Sequence, residues 1–160
     1  MRAETCGLLV REGIFGQTHT SLKQAFEYLT HPSRHPMNLN QVTLAVSDVA
    51  RAIGFYQQLG LQLIVENLPE YARFCCPDGA ATFSVSRVEH VQPSQSLIYF
   101  ECDALDATVQ RLQALGVQFS MLPTDQPWLW REAYLSDPDG NLLCLYHAGS
   151  QRLNPPWRLA

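Results

Sequence analysis

The strongest constraint on the fold of this chain is an internal repeat. The segment Gln41–Val46 aligns with Leu97–Cys102, and the alignment continues without a gap at a constant offset of 56 residues, from position 41 to position 97. In each copy a β-type segment precedes a stretch with apolar residues at helical spacing, then a glycine, Gly60 or Gly116, and a second β-type segment. A unit that recurs in this way favours one domain built from two similar modules.

Each copy of the repeat also ends in the same kind of turn. The sequences are Cys-Pro-Asp-Gly at 76–79 and Asp-Pro-Asp-Gly at 137–140, and each precedes another β-type segment. We therefore predict an α+β fold of two tandem βαβββ modules, at about 38–88 and 96–148. The predicted boundaries are an N-terminal extension at 1–36, the two-module domain at 37–149 and a C-terminal tail at 150–160.

Charge and hydropathy exclude two classes of partner. The chain has 11 Lys and Arg against 15 Asp and Glu, a formal net charge of −4, without a basic run suited to a phosphate backbone. Its apolar stretches are shorter than the ~20 residues of a membrane-spanning helix. We expect neither nucleic acid nor membrane as a partner. The 5 cysteines, without CxxC spacing, are typical of free thiols in a reducing compartment, which predicts a cytoplasmic location.

Several motifs inside the repeat are typical of one protein family. They are Val46-Ser47-Asp48-Val49, Phe55-Tyr56, Leu59-Gly60-Leu61 and Asp137-Pro138-Asp139-Gly140-Asn141. With the repeat, they make residues 38–149 resemble the vicinal oxygen chelate superfamily, which includes glyoxalase I, extradiol dioxygenases and bleomycin-resistance proteins. The resemblance implies a glyoxalase-like fold, in which the two modules form a curled mixed sheet around a cleft. It also implies a small-molecule ligand and a homodimer.

The resemblance also implies four metal-ligand positions, one on each of four strands, filled by His, Gln or Glu. They fall here on Gln41, Ser84, Leu97 and Cys144, with Phe83 as the alternative for the second position. Leucine has no donor atom, serine is a poor ligand and cysteine is a soft one, which leaves Gln41 as the one hard ligand. We therefore interpret the metal site as degenerate and expect no cofactor.

Side-chain alternation predicts which residues line the cleft. On the first strand the apolar positions alternate with Gln41, and Ser84 takes the corresponding place on the strand at 82–86; Tyr99 and Glu101 alternate with apolar residues on the next module's first strand. A sheet face with small polar groups and a tyrosine suits a ligand cavity, whereas the alternative is an ordinary solvated face. The predicted ligand contacts on the sheets are Gln41, Ser84, Tyr99, Glu101 and Tyr146.

A short segment after Pro127 adds three further candidates. Trp128 and Trp130 could stack on a flat ligand as a lid, and Arg131 offers a planar fork for a carboxylate or enolate. The alternative is an aromatic loop that anchors the fold or contacts a second subunit. Glu101 is the candidate catalytic base, if burial raises its pKa, or else the ion-pair partner of Arg131 or Arg73.

Three interpretations of function follow from these residues. The first is a small-molecule-binding protein of the glyoxalase, bleomycin-resistance and dioxygenase superfamily with a degenerate metal site. The second is a metal-dependent glyoxalase-like lyase or isomerase, in which Gln41 and Glu101 hold a divalent ion that stabilises an enolate. The third is a dimeric protein that sequesters a toxic aromatic compound without turning it over.

Overall fold

The first module contains four strands and one helix in the predicted order. The computed structural model describes residues 37–93 and 95–159, and the extension at 1–36 lies outside the described residues. The elements are β1 (Gln41–Val46), α1 (Val49–Gln58), β2 (Gln62–Asn67), β3 (Tyr71–Cys75) and β4 (Thr82–Arg87). Asp48 caps the start of α1, since its carboxylate accepts a hydrogen bond from the Arg51 amide at 3.0 Å.

The second module repeats this order. Its elements are β5 (Leu97–Glu101), α2 (Leu105–Ala114), β6 (Phe119–Asp125), β7 (Arg131–Ser136) and β8 (Leu142–His147), followed by a 3₁₀ turn at Gly149–Arg152. Gly60 and Gly116 end the two helices with positive φ angles of 102° and 88°, a conformation that glycine adopts without steric cost. In the described part of the chain no helix is long and apolar enough to cross a membrane.

Each module forms its own four-stranded mixed sheet. The strand orders are β1-β4-β3-β2 and β5-β8-β7-β6, in which the outer pairs β1 with β4 and β5 with β8 are parallel and the remaining pairs are antiparallel. The predicted α+β architecture of two βαβββ modules is confirmed. The sheets remain separate and do not close on each other.

Apolar faces of both modules meet in one core. Tyr56 of α1 is fully buried and lies against Phe83, with ring centroids 4.5 Å apart. Phe83 in turn contacts Phe100 of the second module edge to face at 5.6 Å. Burial of one such side chain contributes about 1.5–3 kcal/mol. The shared core therefore couples the two modules into one folding unit.

Buried hydrogen bonds of Asp137 join the two modules as well. The Tyr56 hydroxyl donates to Asp137 Oδ2 at 2.8 Å, and the Asn141 side-chain amide donates to the same carboxylate at 2.8 Å. Asn141 also donates to the Ala45 carbonyl at 3.0 Å. Burial, and then the charge of Asp137, raise the pKa of Tyr56 well above its usual value, so the phenol stays protonated and remains a donor.

Asp139 completes this connection, which we call the clasp and define as Asp137, Asp139 and Asn141 with their partners on the first module. Asp139 Oδ1 accepts from the Ser47 amide at 3.0 Å and from Arg51 at 2.9 Å. The residues that carry the family likeness therefore hold the modules together. Their observed contacts are structural, and for this reason they indicate the fold and carry no information about the chemistry.

Candidate ligand-binding site

The first module presents a polar face on the side of its sheet away from the helix. We define the polar face as Gln41, Thr43, Tyr71, Arg73 and Ser84. Thr43 and Ser84 are register partners on β1 and β4, with their hydroxyl oxygens 2.6 Å apart, and Gln41 Nε2 donates to Ser84 Oγ at 3.5 Å. Phe83 is instead buried in the core, so of the two residues predicted for the second metal-ligand position, Ser84 is the one on the polar face.

Arg73 and Tyr71 extend the polar face onto β3. Arg73 lies opposite Ser84 in the strand register, and its Nε donates to the Tyr71 hydroxyl at 2.8 Å. Burial opposes ionisation of Tyr71, but hydrogen bonds from Arg73 and then Ser84 outweigh it and hold the pKa of Tyr71 below its usual value. Neither residue is among the predicted contacts; the alternation of Tyr71 and Arg73 with the buried Ala72 and Phe74 is the signal that identifies them.

The second module presents an aromatic face, which we define as Tyr99, Trp130 and Tyr146. Trp130 stacks on Tyr146 with ring centroids 4.8 Å apart. Tyr99 meets both rings edge-on, at 6.0 Å from Trp130 and 5.6 Å from Tyr146. Three of the predicted contacts thus lie together. Tyr99 remains 46% exposed, so its ring is accessible to a ligand.

A buried carboxylate, absent from the predicted contacts, supports the aromatic face. Glu132 is 1% exposed and accepts hydrogen bonds from Trp128 Nε1 at 2.8 Å and from the Tyr134 hydroxyl at 2.6 Å. The bond to Glu132 is the first cause of the strongly raised pKa of Tyr134. Trp128 is therefore fixed by its indole N–H while its ring stays 42% exposed. Glu132 alternates along β7 with Ala133 and Leu135, and this pattern places it on the aromatic face. The pattern alone does not distinguish a buried acid from an exposed one.

A tight turn brings both indoles to the same side of the sheet. The Gln126 amide donates to the Trp130 carbonyl at 2.7 Å, and the Leu129 amide donates back to the Gln126 carbonyl at 3.0 Å. Leu129 has φ at 67°, in the left-handed region. This conformation costs a non-glycine residue about 1 kcal/mol or more, and such strain is typical of segments shaped for binding.

Two predicted site residues, Glu101 and Arg131, form ion pairs within the chain. Glu101 forms an ion pair with Arg152 at 3.1 Å and accepts from the Gly149 amide at 3.1 Å. Arg131 pairs with Asp106 at 2.7 Å and with Asp125 at 2.8 Å. Arg131 projects to the helix side of its sheet, because it alternates with Glu132, and is therefore not part of the aromatic face. The predicted partners of Glu101, Arg131 and Arg73, are wrong: it pairs with Arg152, because the turn after β8 brings that side chain to Glu101.

A cleft of about 370 Å³ opens beside the aromatic face, along the edge strand β5. Tyr99, Glu101 and Tyr146 contribute to one wall, and the turn from Cys76 to Asp78 contributes to the other. Cys76 occupies in the first module the position that Asp137 has in the second. The clasp therefore has no counterpart at this turn among the described residues.

The inherited metal positions do not form a hard-ion site. Leu97 offers no donor atom, and Cys144 is fully buried; burial, followed by the charge of Glu132, raises the pKa of Cys144 to about 12. The thiol is therefore protonated and a poor ligand at neutral pH. Within 37–93 and 95–159, no three His, Cys, Asp or Glu residues form a metal-binding group, and no hydrogen bond joins the polar face to the aromatic face. The donor set does not fit a divalent cation.

Comparison with known proteins identifies the family. The family model of the Glyoxalase/Bleomycin resistance protein/Dioxygenase superfamily matches residues 38–145. The uncharacterized protein YraH of Bacillus subtilis (strain 168) is 30% identical over 127 residues, which cover 69% of this chain and 98% of that protein.

Solved structures with the same fold accompany this match. A lactoylglutathione lyase from Agrobacterium tumefaciens superimposes with a TM-score of 0.63 at 18% identity, over 76% of this chain and 99% of the other. A bleomycin-binding protein complexed with bleomycin gives a TM-score of 0.58 at 21% identity, over 70% and 98%. At these identities the likeness shows the fold alone. The matched family model and the relative show that this chain belongs to the glyoxalase/bleomycin resistance protein/dioxygenase superfamily.

Proposed function

We propose that this protein binds a flat, partly apolar small molecule without a metal ion, on the aromatic face and in the adjoining cleft. The proposal rests on one observation about the second module: aromatic rings lie where metal-ligand atoms would be expected. Where the family has its third and fourth ligand positions, this chain has Leu97 and a buried, protonated Cys144. Beside them lies the cluster of Tyr99, Trp130 and Tyr146.

The contacts around these rings suit binding more than turnover. Trp128 and Tyr134 are held by Glu132, so the walls are pre-ordered and lose little side-chain entropy when a ligand docks. Glu101, the candidate base, is paired with Arg152. A bleomycin-binding protein of similar fold holds an antibiotic, which supports sequestration of an aromatic compound as the biological role. A metal-dependent lyase or isomerase would need donors that these positions do not supply.

We propose further that the chain acts as a homodimer in the cytoplasm. Edge strand β2 carries Ile64 and Val65 at 48% and 39% exposure, and an exposed apolar edge favours burial against a second copy. Cytoplasmic location is supported by the cysteines, since those at 75, 76, 102 and 144 are free thiols.

Metal analysis and a ligand screen test the proposal together. The purified full chain is analysed by native and elemental mass spectrometry and then screened by thermal shift against bleomycin and a panel of flat aromatic compounds, with and without EDTA. We expect substoichiometric metal and stabilising compounds whose effect EDTA leaves unchanged. One equivalent of a divalent metal, lost from Gln41→Ala, would overturn the proposal in favour of the metal enzyme.

Trp130→Ala tests the location of the bound compound. Loss of a stacked ring should weaken binding of the best compound by about 1–3 kcal/mol, or roughly fivefold to 150-fold in Kd. The matched control is Trp157→Ala, which removes a tryptophan that is 56% exposed in the C-terminal tail. Equal loss of affinity in both variants would place the compound elsewhere.

A further inference from the structure

We propose that the polar face of the first module is a second binding site, for an oxyanion such as a carboxylate or phosphate, in which Arg73 supplies the positive charge. The site is separate from the aromatic face and does not depend on the function proposed for it. The proposal rests on the guanidinium of Arg73, which is half-buried in the middle of a sheet face built from hydrogen-bond donors. This guanidinium has no carboxylate partner among residues 37–93 and 95–159.

The charge environment of Arg73 differs from that of other arginines in the structure. Four of them have a carboxylate oxygen within 3.3 Å, namely Arg51, Arg87, Arg131 and Arg152. Arg73 donates through Nε to the Tyr71 hydroxyl, and its guanidinium carbon lies 5.6 Å from the centroid of the Tyr71 ring. Neither Nη1 nor Nη2 donates to a described residue, so both remain available to a ligand. Two parallel N–H groups match the two oxygens of a carboxylate or phosphate.

The neighbours of Arg73 complete a set of donors. The Tyr71 hydroxyl accepts from Arg73 Nε, so its own proton is free to bind an incoming oxygen. Ser84 is fully buried and is held by Thr43 and Gln41, which fixes the hydroxyls and the amide beside the guanidinium. The residues sharing this face on β1, β3 and β4 include no aspartate or glutamate. Nothing on these strands therefore competes with an anion for the guanidinium.

The same geometry disfavours a metal ion at the two metal-ligand positions that the resemblance places on this face. Gln41 and Ser84 are neutral, and Arg73 lies on the strand next to Ser84, so a dication on this face would be repelled by the guanidinium. The fixed charge of an arginine can polarise or bind an oxyanion directly. In the proposed site, the Arg73 guanidinium on β3 takes the place of a bound metal cation.

The test is a titration of the full-length, ¹⁵N-labelled protein with oxalate and, separately, with inorganic phosphate. The Arg73 Nε–Hε resonance, assigned by its loss in Arg73→Gln, should shift saturably with at least one of the two anions. Arg73→Gln, in which binding is followed through the backbone amide resonances, should weaken that binding by about tenfold or more, as expected for loss of a charge-assisted hydrogen bond. Arg73→Lys should give an intermediate loss, because lysine keeps the charge without the fork.

Arg87→Gln is the matched control, since Arg87 lies on β4 and is paired with the exposed Glu70 at 3.3 Å. It should leave anion binding unchanged, and all variants should melt within a few degrees of the parent. The proposal is overturned if neither anion shifts the Arg73 resonance, or if Arg87→Gln weakens binding as much as Arg73→Gln. Binding in which Arg73→Lys equals the parent would indicate general charge attraction and would also contradict the site.

Discussion

At the scale of single residues, the motif residues and the candidate ligand-binding residues are different sets. Asp137 Oδ2 and the Asn141 side-chain amide bind Tyr56 and Ala45 of the first module, while Asp137 Oδ1 accepts from the amides of its own turn. Residues on the open faces, such as Arg73 and Tyr99, lie outside the family motifs. Substitutions in the first set should therefore change stability, whereas substitutions in the second should change binding.

The first prediction concerns Asp137, which is 5% exposed and accepts from the amides of Asp139 and Asn141 at 2.9 and 2.8 Å. Asp137→Asn places an amide donor against groups that also donate, so we expect the free energy of unfolding to fall by about 2–4 kcal/mol. Urea unfolding followed by circular dichroism measures it. Asp78→Asn, in the corresponding turn of the first module, is the control and should stay within about 0.5 kcal/mol of the parent; equal effects would refute the clasp.

The second prediction is a pH dependence that arises from Asp139. Burial opposes its ionisation, but hydrogen bonds from Ser47 and then Arg51 hold the pKa of Asp139 below the ordinary 3.8. A carboxyl whose pKa is lower in the folded state stabilises the fold above the unfolded-state pKa and loses that contribution as the pH falls through the folded-state pKa. The stability advantage of the parent over Asp139→Asn should thus be constant from pH 7 to about pH 5 and shrink below about pH 4. An advantage that persists unchanged at pH 2 would contradict this assignment.

At the scale of elements, the two helices begin differently although the repeat places Asp48 and Ala104 at equivalent positions. Asp48 caps α1 through the Arg51 amide at 3.0 Å, whereas Ala104 provides no side-chain hydrogen bond to α2. The third prediction is that Asp48→Ala lowers the free energy of unfolding by about 1 kcal/mol and that Ala104→Ser raises it by about 0.5 kcal/mol. Chemical unfolding of both variants checks the pair. A stabilising Asp48→Ala would be incompatible with the observed cap.

Strand alternation predicts site residues well where a strand has one apolar face. On β5 it identifies Tyr99 as a residue of the open face, and Tyr99 joins Trp130 and Tyr146 there. It assigns a residue to a face but says nothing about its partners. The sequence therefore predicts Glu101 as a cleft residue, while the turn at Gly149–Arg152 decides that it is paired. Long side chains such as Arg152 reach across loops, and loop geometry has no periodic signal.

At the scale of the whole molecule, the repeat is complete without the residues that precede it. The fourth prediction is that a chain beginning at Met37 keeps the fold and most of the stability, because both copies of the repeat, and the contact between them from Tyr56 to Asp137, lie after that point. Circular dichroism and the melting temperature of the shortened protein provide the measurement. A fall of more than about 10 °C, several kcal/mol for a domain of this size, would show that the extension at 1–36 contributes to the core.

The fifth prediction is a dimer, measured by analytical ultracentrifugation at micromolar concentration. We expect twice the chain mass of 18.0 kDa, and we expect Ile64→Lys to weaken association because a charge on the exposed edge β2 opposes pairing. Leu159→Lys is the control, since Leu159 is 91% exposed in the tail. A monomeric parent protein would refute the dimer.

The sequence by itself determined the two modules, the order of their elements and the residues that face the core, because periodicity and turn chemistry are local properties of a chain. It also determined that two of the four metal positions, Leu97 and Cys144, have no hard donor atom. Residue type is read directly from the sequence, without knowledge of tertiary contacts. Only the tertiary structure decided which charges are paired. Arg131 is paired with two carboxylates, whereas Arg73 donates only to the Tyr71 hydroxyl among the described residues. The reason is that pairing depends on which segments, distant in sequence, come within a few ångströms of each guanidinium.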